Sequence, residues 1–385
     1  MNEQAPMKIL HIVPSLQMGG AEMALYRLVS TLDPALFLHS VISLTCDQPV
    51  GDLIRSMGIS VESLGFRPGI PDPRMIFQLK QRILNFDPDI IQTWMYHADL
   101  LGGIAAKLAG PYPVVWNIRH TITDQDSLKQ STYLIAWANA WLSRYLPTKI
   151  ICNANTGKQT HVAMGFNENK MLVIENGFDP SQFYPDEEAG ESVRHELGLP
   201  RNDYLVGMAA RYDPQKDHAN FLRAAALLLQ KRQDVHFLLW GNNVDDNNLE
   251  LVELVRSLSL QNHVLMLGLR MDGRRLFSAL DVATLSSAYG EAFPQVIGEA
   301  MACGVPCVVT DVGDSALIAG NTGRIVPPRA PQLLANGWEE LLSLPKIERA
   351  GLGKAAHERI KNLFGLEKTT QKYSQLYQSI AKEPR

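Results

Sequence analysis

Two carboxylates, Glu291 and Glu299, lie in the segment SSAYGEAFPQVIGEAMACGVPCVVT, the first in a loop and the second inside a helix expected to begin at Pro294. At a rise of 1.5 Å per residue, Glu299 falls about 7 to 8 Å along the axis from Pro294, which lets one carboxylate face a sugar and the other a ribose. A carboxylate accepts from two adjacent hydroxyls, a common way of holding a diol. Val296, Ile297, Ala300, Met301 and Ala302 make the helix apolar. An acid without a partner would be costly there, so a functional role is favoured for Glu299 over a solvent-facing one. Arg211 and Lys216, in ARYDPQKDHANFLRAA, supply two cations suited to a diphosphate, the first a planar fork and the second a mobile point charge. A departing pyrophosphate builds negative charge, which fixed cations stabilise without a metal. Taken singly, both read as solvated surface charges; the glutamates give them weight.

Three further groups could bear on a ligand. Gly19 and Gly20 precede a helix whose first turn holds Ala21 and Glu22, so they read either as a place where a ligand meets backbone N–H groups or as an ordinary tight turn. They do not form a G-x-G-x-x-G fingerprint, which argues against a dinucleotide-binding dehydrogenase. His97 follows the apolar run IIQTW and His120 follows PVVWNIR, positions that admit a cleft role as readily as a structural one. The D-x-D strings at Asp87–Asp89 and Asp124–Asp126 fit turn or helix-start positions better than a metal site. No metal is therefore expected.

The elements that must position these residues alternate between short apolar runs and helical patterns. KILHIV, SVISL, VESL, IIQTW, PVVWNIR, KIICN and MLVIEN make one series; YLVGMAA, HFLLWG, VLMLG, VATLSS and PCVVT make a second. Alternation of this kind makes α/β units with a parallel sheet, whose ligands gather beyond the carboxyl ends of the strands. The turn-rich stretch NGFDPSQFYPDEEAGE separates the series, dividing the chain into residues 1–185 and 186–365. A closing amphipathic helix within 366–385 is expected to pack back on the first domain.

A chain of 385 residues with 46% hydrophobic content accommodates two such cores. Its 36 basic and 40 acidic residues leave a formal charge of −4, which gives no field for a nucleic-acid backbone. Cys46, Cys152, Cys303 and Cys307 lack zinc-site spacings and read as buried thiols of a reducing, cytoplasmic compartment. No apolar run approaches the roughly 20 residues of a membrane span, and MNEQAPMKILHIV reads as a polar lead into a strand rather than a signal peptide. Tyr133, Trp137, Trp141 and Tyr145 recur every four residues within an expected helix, Thr132 to Leu146. Packing of this stripe against the sheet is the favoured reading; the alternative is a membrane-interface face with Arg144 and Lys149 near lipid headgroups.

The Glu291-x7-Glu299 spacing, EAMACGVP, TDVGD, GMAARYDPQKDH, the MGGAE loop and VIENGFDPSQF, in that arrangement, resemble the retaining GT-B glycosyltransferases of the GT4 family, over nearly the whole chain. The resemblance implies two Rossmann-like, doubly wound domains facing across a cleft. It implies Arg211 and Lys216 on the donor diphosphate, Glu299 on the ribose, Glu291 on the donor sugar with backbone N–H groups near Ala292 and Phe293, and Arg270 near the base through its backbone. Gly19 and Gly20 would approach the phosphates, and His120 the donor sugar; His97 would lie on the acceptor side. Many relatives carry glycine where Pro294 stands, so the sugar pocket loses one N–H and the donor sugar stays open. The implied activity is metal-independent transfer, with retention, from a nucleotide-diphosphate sugar acting as co-substrate. A UDP-sugar is favoured over a GDP-sugar, and the acceptor is a glycan or lipid-linked hydroxyl of bacterial surface polysaccharide, met at the cytoplasmic face of the inner membrane. A nucleotide-sugar epimerase of the same architecture and a non-catalytic nucleotide-sugar-binding protein are the alternatives.

Overall fold

The computed structural model describes residues 5–67, 72–122 and 130–382. The first series runs β1 (Met7–Val13), α1 (Gly20–Thr31), β2 (Phe37–Ser43), α2 (Val50–Arg55), β3 (Ser60–Ser63), α3 (Arg74–Phe86), β4 (Ile90–Trp94), α4 (Met95–Ala109), β5 (Val114–Ile118), α5 (Gln130–Leu142), β6 (Lys149–Cys152), α6 (Asn155–Met164) and β7 (Met171–Val173). The second runs α7 (Glu187–Glu196), β8 (Tyr204–Ala209), α8 (His218–Leu229), β9 (Val235–Trp240), α9 (Leu249–Ser257), β10 (Val264–Met266), α10 (Gly273–Ser278), β11 (Val282–Leu285), α11 (Gln295–Ala302), β12 (Cys307–Thr310), α12 (Ser315–Ala319), β13 (Arg324–Val326), α13 (Pro331–Leu342) and α14 (Lys346–Phe364), and α15 (Leu366–Ala381) closes the chain.

The chain divides into two compact units, Met1–Gly177 with Leu366–Arg385, and Phe178–Gly365. Each holds one parallel sheet, ordered β3-β2-β1-β4-β5-β6-β7 in the first and β10-β9-β8-β11-β12-β13 in the second. Both orders reverse once, between β1 and β4 and between β8 and β11, and the crevice at such a reversal is where open α/β sheets take ligands. The strands read as continuous apolar runs because helices cover both faces. In the first unit one face buries Leu10, Ile12, Ile91, Trp116 and Ile150, and the other Ile9, Val41, Ile90, Val115 and Ile151. That second face is completed by α15, whose Tyr373, Tyr377 and Ile380 recur at helical spacing and are buried. Tyr377 donates to Gln92, and Asn117 Nδ2 donates to Tyr373 Oη at 2.8 Å, so the closing helix also satisfies polar groups of the sheet. In the second unit Trp338 of α13 is fully buried against Phe221 and Phe237 and donates to Thr284 Oγ1 at 2.9 Å.

Four sequence expectations shift. The chain passes from one unit to the other at Gly177/Phe178, ahead of the 185/186 boundary. Phe178 donates its N–H to Phe364 O at 2.9 Å and stacks on Phe293, which ties it to the second unit. The turn-rich linker stretch ends inside α7, where Asp186 caps the helix by accepting from Ala189 N–H at 3.0 Å. Helix α5 stops at Leu142 rather than Leu146; Ser143 ends it by turning its hydroxyl onto Ala140 O at 2.6 Å and accepting Asn167 N–H at 2.9 Å. Past half-buried Tyr133, the aromatic stripe does not pack on the sheet. Small residues, Ala136 and Ala140 with Asn139, face inward instead, and Trp137, Trp141 and Tyr145 are 62%, 61% and 62% exposed.

Candidate nucleotide-sugar site

In the second unit the reversal between β8 and β11 brings two loops together. After β8 the chain passes Arg211 and Asp213, makes one tight turn at Pro214–Lys216, and enters α8 through Asp217, whose positive φ of 50° places its carboxylate to accept Asn220 N–H at 3.0 Å. After β11, Ser286 and Ser287 lead into the loop that ends at α11. Ser286 Oγ donates to Lys216 O at 2.7 Å, and Ala288 N–H donates to Gln215 O at 2.8 Å, so the loops are stitched along their backbones.

Lys216 and Glu291 meet there in an ion pair, with side chains 15% and 8% exposed. Ser287 Oγ donates to the same carboxylate oxygen, Oε1, at 2.6 Å. Both bonds fall on Oε1, so among the described residues Oε2 has no partner and can accept from a hydroxyl. Gly313, at a φ of 64°, explains the TDVGD stretch: a Cβ there would overlap the Glu291 carbonyl oxygen. Asp314 N–H then donates to Ala292 O at 2.8 Å and fixes the loop from the other side.

Arg211 stands at the rim, 55% exposed, held by Asp213 at 3.2 Å and Gln215 at 3.3 Å. His218 is buried in the first turn of α8; burial, then the nearby Lys216 charge, lowers it to about 4, so it adds no charge. Ala292 and Phe293 use no N–H in hydrogen bonds among the described residues, and they sit just before the open N-terminus of α11. The Phe293 ring itself is core, stacked on Phe178 and edge-on to Phe364. Pro294 is the N-cap rather than the first helical residue, with extended backbone (φ −67°, ψ 109°). Glu299 is half-buried on α11 among buried Ile297, Ala300 and Met301. The Arg270 side chain is committed to Asp272 at 2.7 Å and Glu196 at 3.4 Å, which leaves its backbone as the part that can meet a base.

In the first unit the corresponding loops follow β1, β4 and β5. Gly19 is the N-cap of α1 and Gly20 its first residue. The two differ. A Cβ on Gly19 would meet the Glu22 carboxylate, the far end of a flexible side chain that can turn aside, whereas Gly20 has open space beside it, so neither glycine is required by the protein's own atoms. Strand β4 enters α4 directly through Met95, at a positive φ of 66° rarely adopted outside glycine, and His97 stands in that helix's first turn. His120 follows β5. Burial lowers both histidines, keeping them neutral, and His120 Nε2 is buried with no partner among the described residues.

Sequence reasoning missed Arg119, Glu22 and Asn176. The Arg119 guanidinium lies 5.5 Å over the Trp94 ring and donates to Asn176 in the segment leaving the unit. Burial raises the Glu22 carboxyl, opposed by its own backbone N–H and by the Arg119 charge. The rule that marked His120, a position just past a strand end, would have marked Arg119 as well. Ser287 carried no signal, because only the fold puts it opposite Lys216. Asp89 accepts Lys8 N–H at 2.9 Å and Asp87 accepts from Tyr112 at 3.0 Å, so this D-x-D string is structural; Asp124–Asp126 lies outside the described residues. Among the described residues no cluster of three or more His, Cys, Asp or Glu could hold a metal, and no helix is long and apolar enough to cross a membrane.

Residues 191–359 match the family model of glycosyl transferases group 1, and residues 18–182 match that of glycosyltransferase family 4. The chain is 29% identical over 254 residues to an Escherichia coli UDP-Gal:alpha-D-GlcNAc-diphosphoundecaprenol alpha-1,3-galactosyltransferase, covering 65% of this chain and 65% of that enzyme, just under two thirds of the relative's length. It is 24% identical over 313 residues to the putative glycosyltransferase EpsF of Bacillus subtilis strain 168, covering 79% of each. Among solved structures, Anabaena Alr3699/HepE in complex with UDP superposes with a TM-score of 0.84 at 25% identity, over 97% of this chain and 100% of that one. A Rickettsia africae ESF-5 glycosyltransferase gives 0.85 at 20% identity, over 99% and 100%. The fold is therefore GT-B, two Rossmann-like domains.

Proposed function

The chain belongs to the glycosyltransferases of group 1 and family 4, and from that premise we propose that it moves a sugar, with retention, from a nucleotide-diphosphate sugar to a hydroxyl of a lipid-linked or glycan acceptor. The observation that carries this reading is the Lys216–Glu291 pair with Ser287, assembled where β8 and β11 diverge. A diphosphate at that crevice would meet the Lys216 ammonium, the exposed Arg211 fork and the open N-terminus of α11. Glu291 Oε2 would accept from the donor sugar, and Glu299 from the ribose. The backbone of Arg270 would line the base, and Ala292 and Phe293 would offer N–H groups beside Pro294, which has none. In the first unit, the family resemblance assigns Gly19 and Gly20 to the phosphates, His120 to the donor sugar and His97 to the acceptor.

In the reaction the acceptor oxygen bonds to the sugar's anomeric carbon on the face from which the phosphate oxygen departs. The anomeric carbon–phosphate oxygen bond breaks, and the acceptor proton passes to a phosphate oxygen of the leaving nucleotide. The protein contributes position and fixed positive charge rather than a nucleophile, and the scheme uses no divalent ion. Glu291 has a second duty: it holds Lys216 in place before the donor arrives, so the ammonium needs little reorganisation when charge develops. A UDP-sugar is the favoured donor, supported by the Escherichia coli relative and by the UDP held in the Anabaena structure. The diphosphoundecaprenol in the Escherichia coli relative's name supports a polyprenyl-diphosphate-linked acceptor; a place in bacterial surface-glycan assembly, at the cytoplasmic face of a membrane, is part of the proposal.

Thermal-shift measurements with UDP, GDP and ADP sugars, followed by NMR assignment of the anomeric configuration of the product, test this. Stabilisation by UDP-sugars and a product of unchanged configuration are expected. Inverted product, or conversion of the donor to its epimer without acceptor, would contradict it.

A further inference from the structure

Helix α5 carries no charged residue along Gln130–Leu142, yet much of it faces solvent: Leu134 is 66% exposed, Trp137 62% and Trp141 61%. Tyr145, just past the helix, is 62% exposed and lies 5.7 Å from the Trp141 ring, continuing the face. At its foot opens a cavity of about 340 Å³, to which Lys107, Tyr112, Tyr145, Pro147 and Lys170 contribute. Lys170 Nζ is anchored to Arg144 O at 2.8 Å and Pro147 O at 2.7 Å, which leaves one N–H for a ligand. Burial, then the neighbouring Lys149 charge, lowers this ammonium. Lys107, Arg144 and Lys149 have no acidic partner among the described residues. The acids nearby are engaged, Asp87 by Tyr112 at 3.0 Å and Glu168 by Lys158 at 3.8 Å.

We propose that the exposed face of α5 and the cavity at its foot dock onto an anionic phospholipid membrane, the aromatic rings entering the headgroup layer while Lys107 and Lys170 hold a headgroup phosphate. Tryptophan and tyrosine suit that layer because each has an apolar body and a polar tip. The charge pattern selects this occupant. A second copy docking by the same face would set one cluster of Lys107, Arg144, Lys149 and Lys170 against another cluster of cations, whereas an anionic leaflet complements all four. For its biological sense the proposal rests on the lipid-linked acceptor above, but its chemistry lies within the first unit alone.

The test is flotation with vesicles of phosphatidylcholine alone or mixed with phosphatidylglycerol, with and without excess inorganic phosphate. Native protein is expected to float with the mixed vesicles only, and free phosphate is not expected to release it. Trp137→Ala/Trp141→Ala should weaken recovery about tenfold or more, and Lys107→Gln and Arg144→Gln about fivefold each. Native protein that stays at the bottom of the gradient, or a tryptophan variant that floats as well as native, overturns the proposal. So does a dimer in light scattering that dissociates in that variant. Melting temperature and its rise with UDP are read on the same samples: lost flotation with an intact UDP shift condemns only the surface, while flotation without a UDP shift condemns only the donor reading.

Discussion

Lys216→Met, Glu291→Gln and the double variant form a cycle that measures how strongly the central pair is coupled. Removing one member of a buried pair leaves the other charge desolvated, at about 3 to 5 kcal/mol when burial is complete. With side chains 15% and 8% exposed, the pair is slightly open to water, so about 2 to 3 kcal/mol is expected for each single substitution. Glu291→Gln keeps the side chain's shape and its acceptor for Ser287 but strands the ammonium; Lys216→Met strands the carboxylate. The double variant removes both charges and should cost no more than either single one, giving a coupling of about 2 kcal/mol or more. By scanning calorimetry the transition of the Phe178–Gly365 unit should fall by roughly 4 to 12 °C in each single variant, at about 2 to 4 °C per kcal/mol for a domain of this size. If the two single drops instead add up in the double variant to within about 0.5 kcal/mol, the residues do not act as a pair.

Gly313→Ala should destabilise the Glu291 loop by about 2 kcal/mol and lower turnover, because the new Cβ overlaps the Glu291 carbonyl at a φ that disfavours side chains; unchanged melting and turnover would refute the role given to TDVGD. His161 is held neutral by burial, down to about 4 from 6.5, with Tyr96 Oη 2.6 Å from Nε2 and Nδ1 2.6 Å from Gly157 O. Its folded-state pKa is depressed, so the unfolded chain binds the extra proton between about pH 6.5 and 4; the contribution is intact above that window and lost as pH falls through it. His161→Gln should flatten the stability–pH slope there by about 1.4 kcal/mol per pH unit, seen in urea titrations at stepped pH, and an unchanged slope would show that the imidazole is charged in the fold. Buried Asp99, whose carboxyl burial raises, works in the opposite sense, so the variant-to-native difference is the quantity to compare. Turnover in a chelator should equal turnover without it, and a loss restored by magnesium would contradict the metal-free scheme.

Strand alternation, the two-sheet division and the carboxyl-end rule were legible because buried parallel strands are continuous apolar runs and their ends are where side chains become free. That is why Arg211, Lys216 and Glu291 could be picked out by type and place. Their pairing could not. It depends on how the loops after β8 and β11 close on each other, set by Ser286, Gln215 and Gly313, none of which has a periodic signature. The aromatic stripe of α5 was misassigned because a four-residue recurrence marks one helix face without saying which way it points; Ala136 and Ala140 on the other face are the ones buried in the core. The unit boundary was placed late because the turn-forming residues after Gly177 read as linker, whereas Phe178 already packs on α11.

The central claim, that Lys216 and Arg211 beside Glu291 form a nucleotide-diphosphate site, is tested most directly by calorimetric titration of UDP into the native protein, Lys216→Met and Arg211→Ala. Binding by native protein, weakened about tenfold or more in each variant, is the predicted result. UDP affinity unchanged in both folded variants would contradict it.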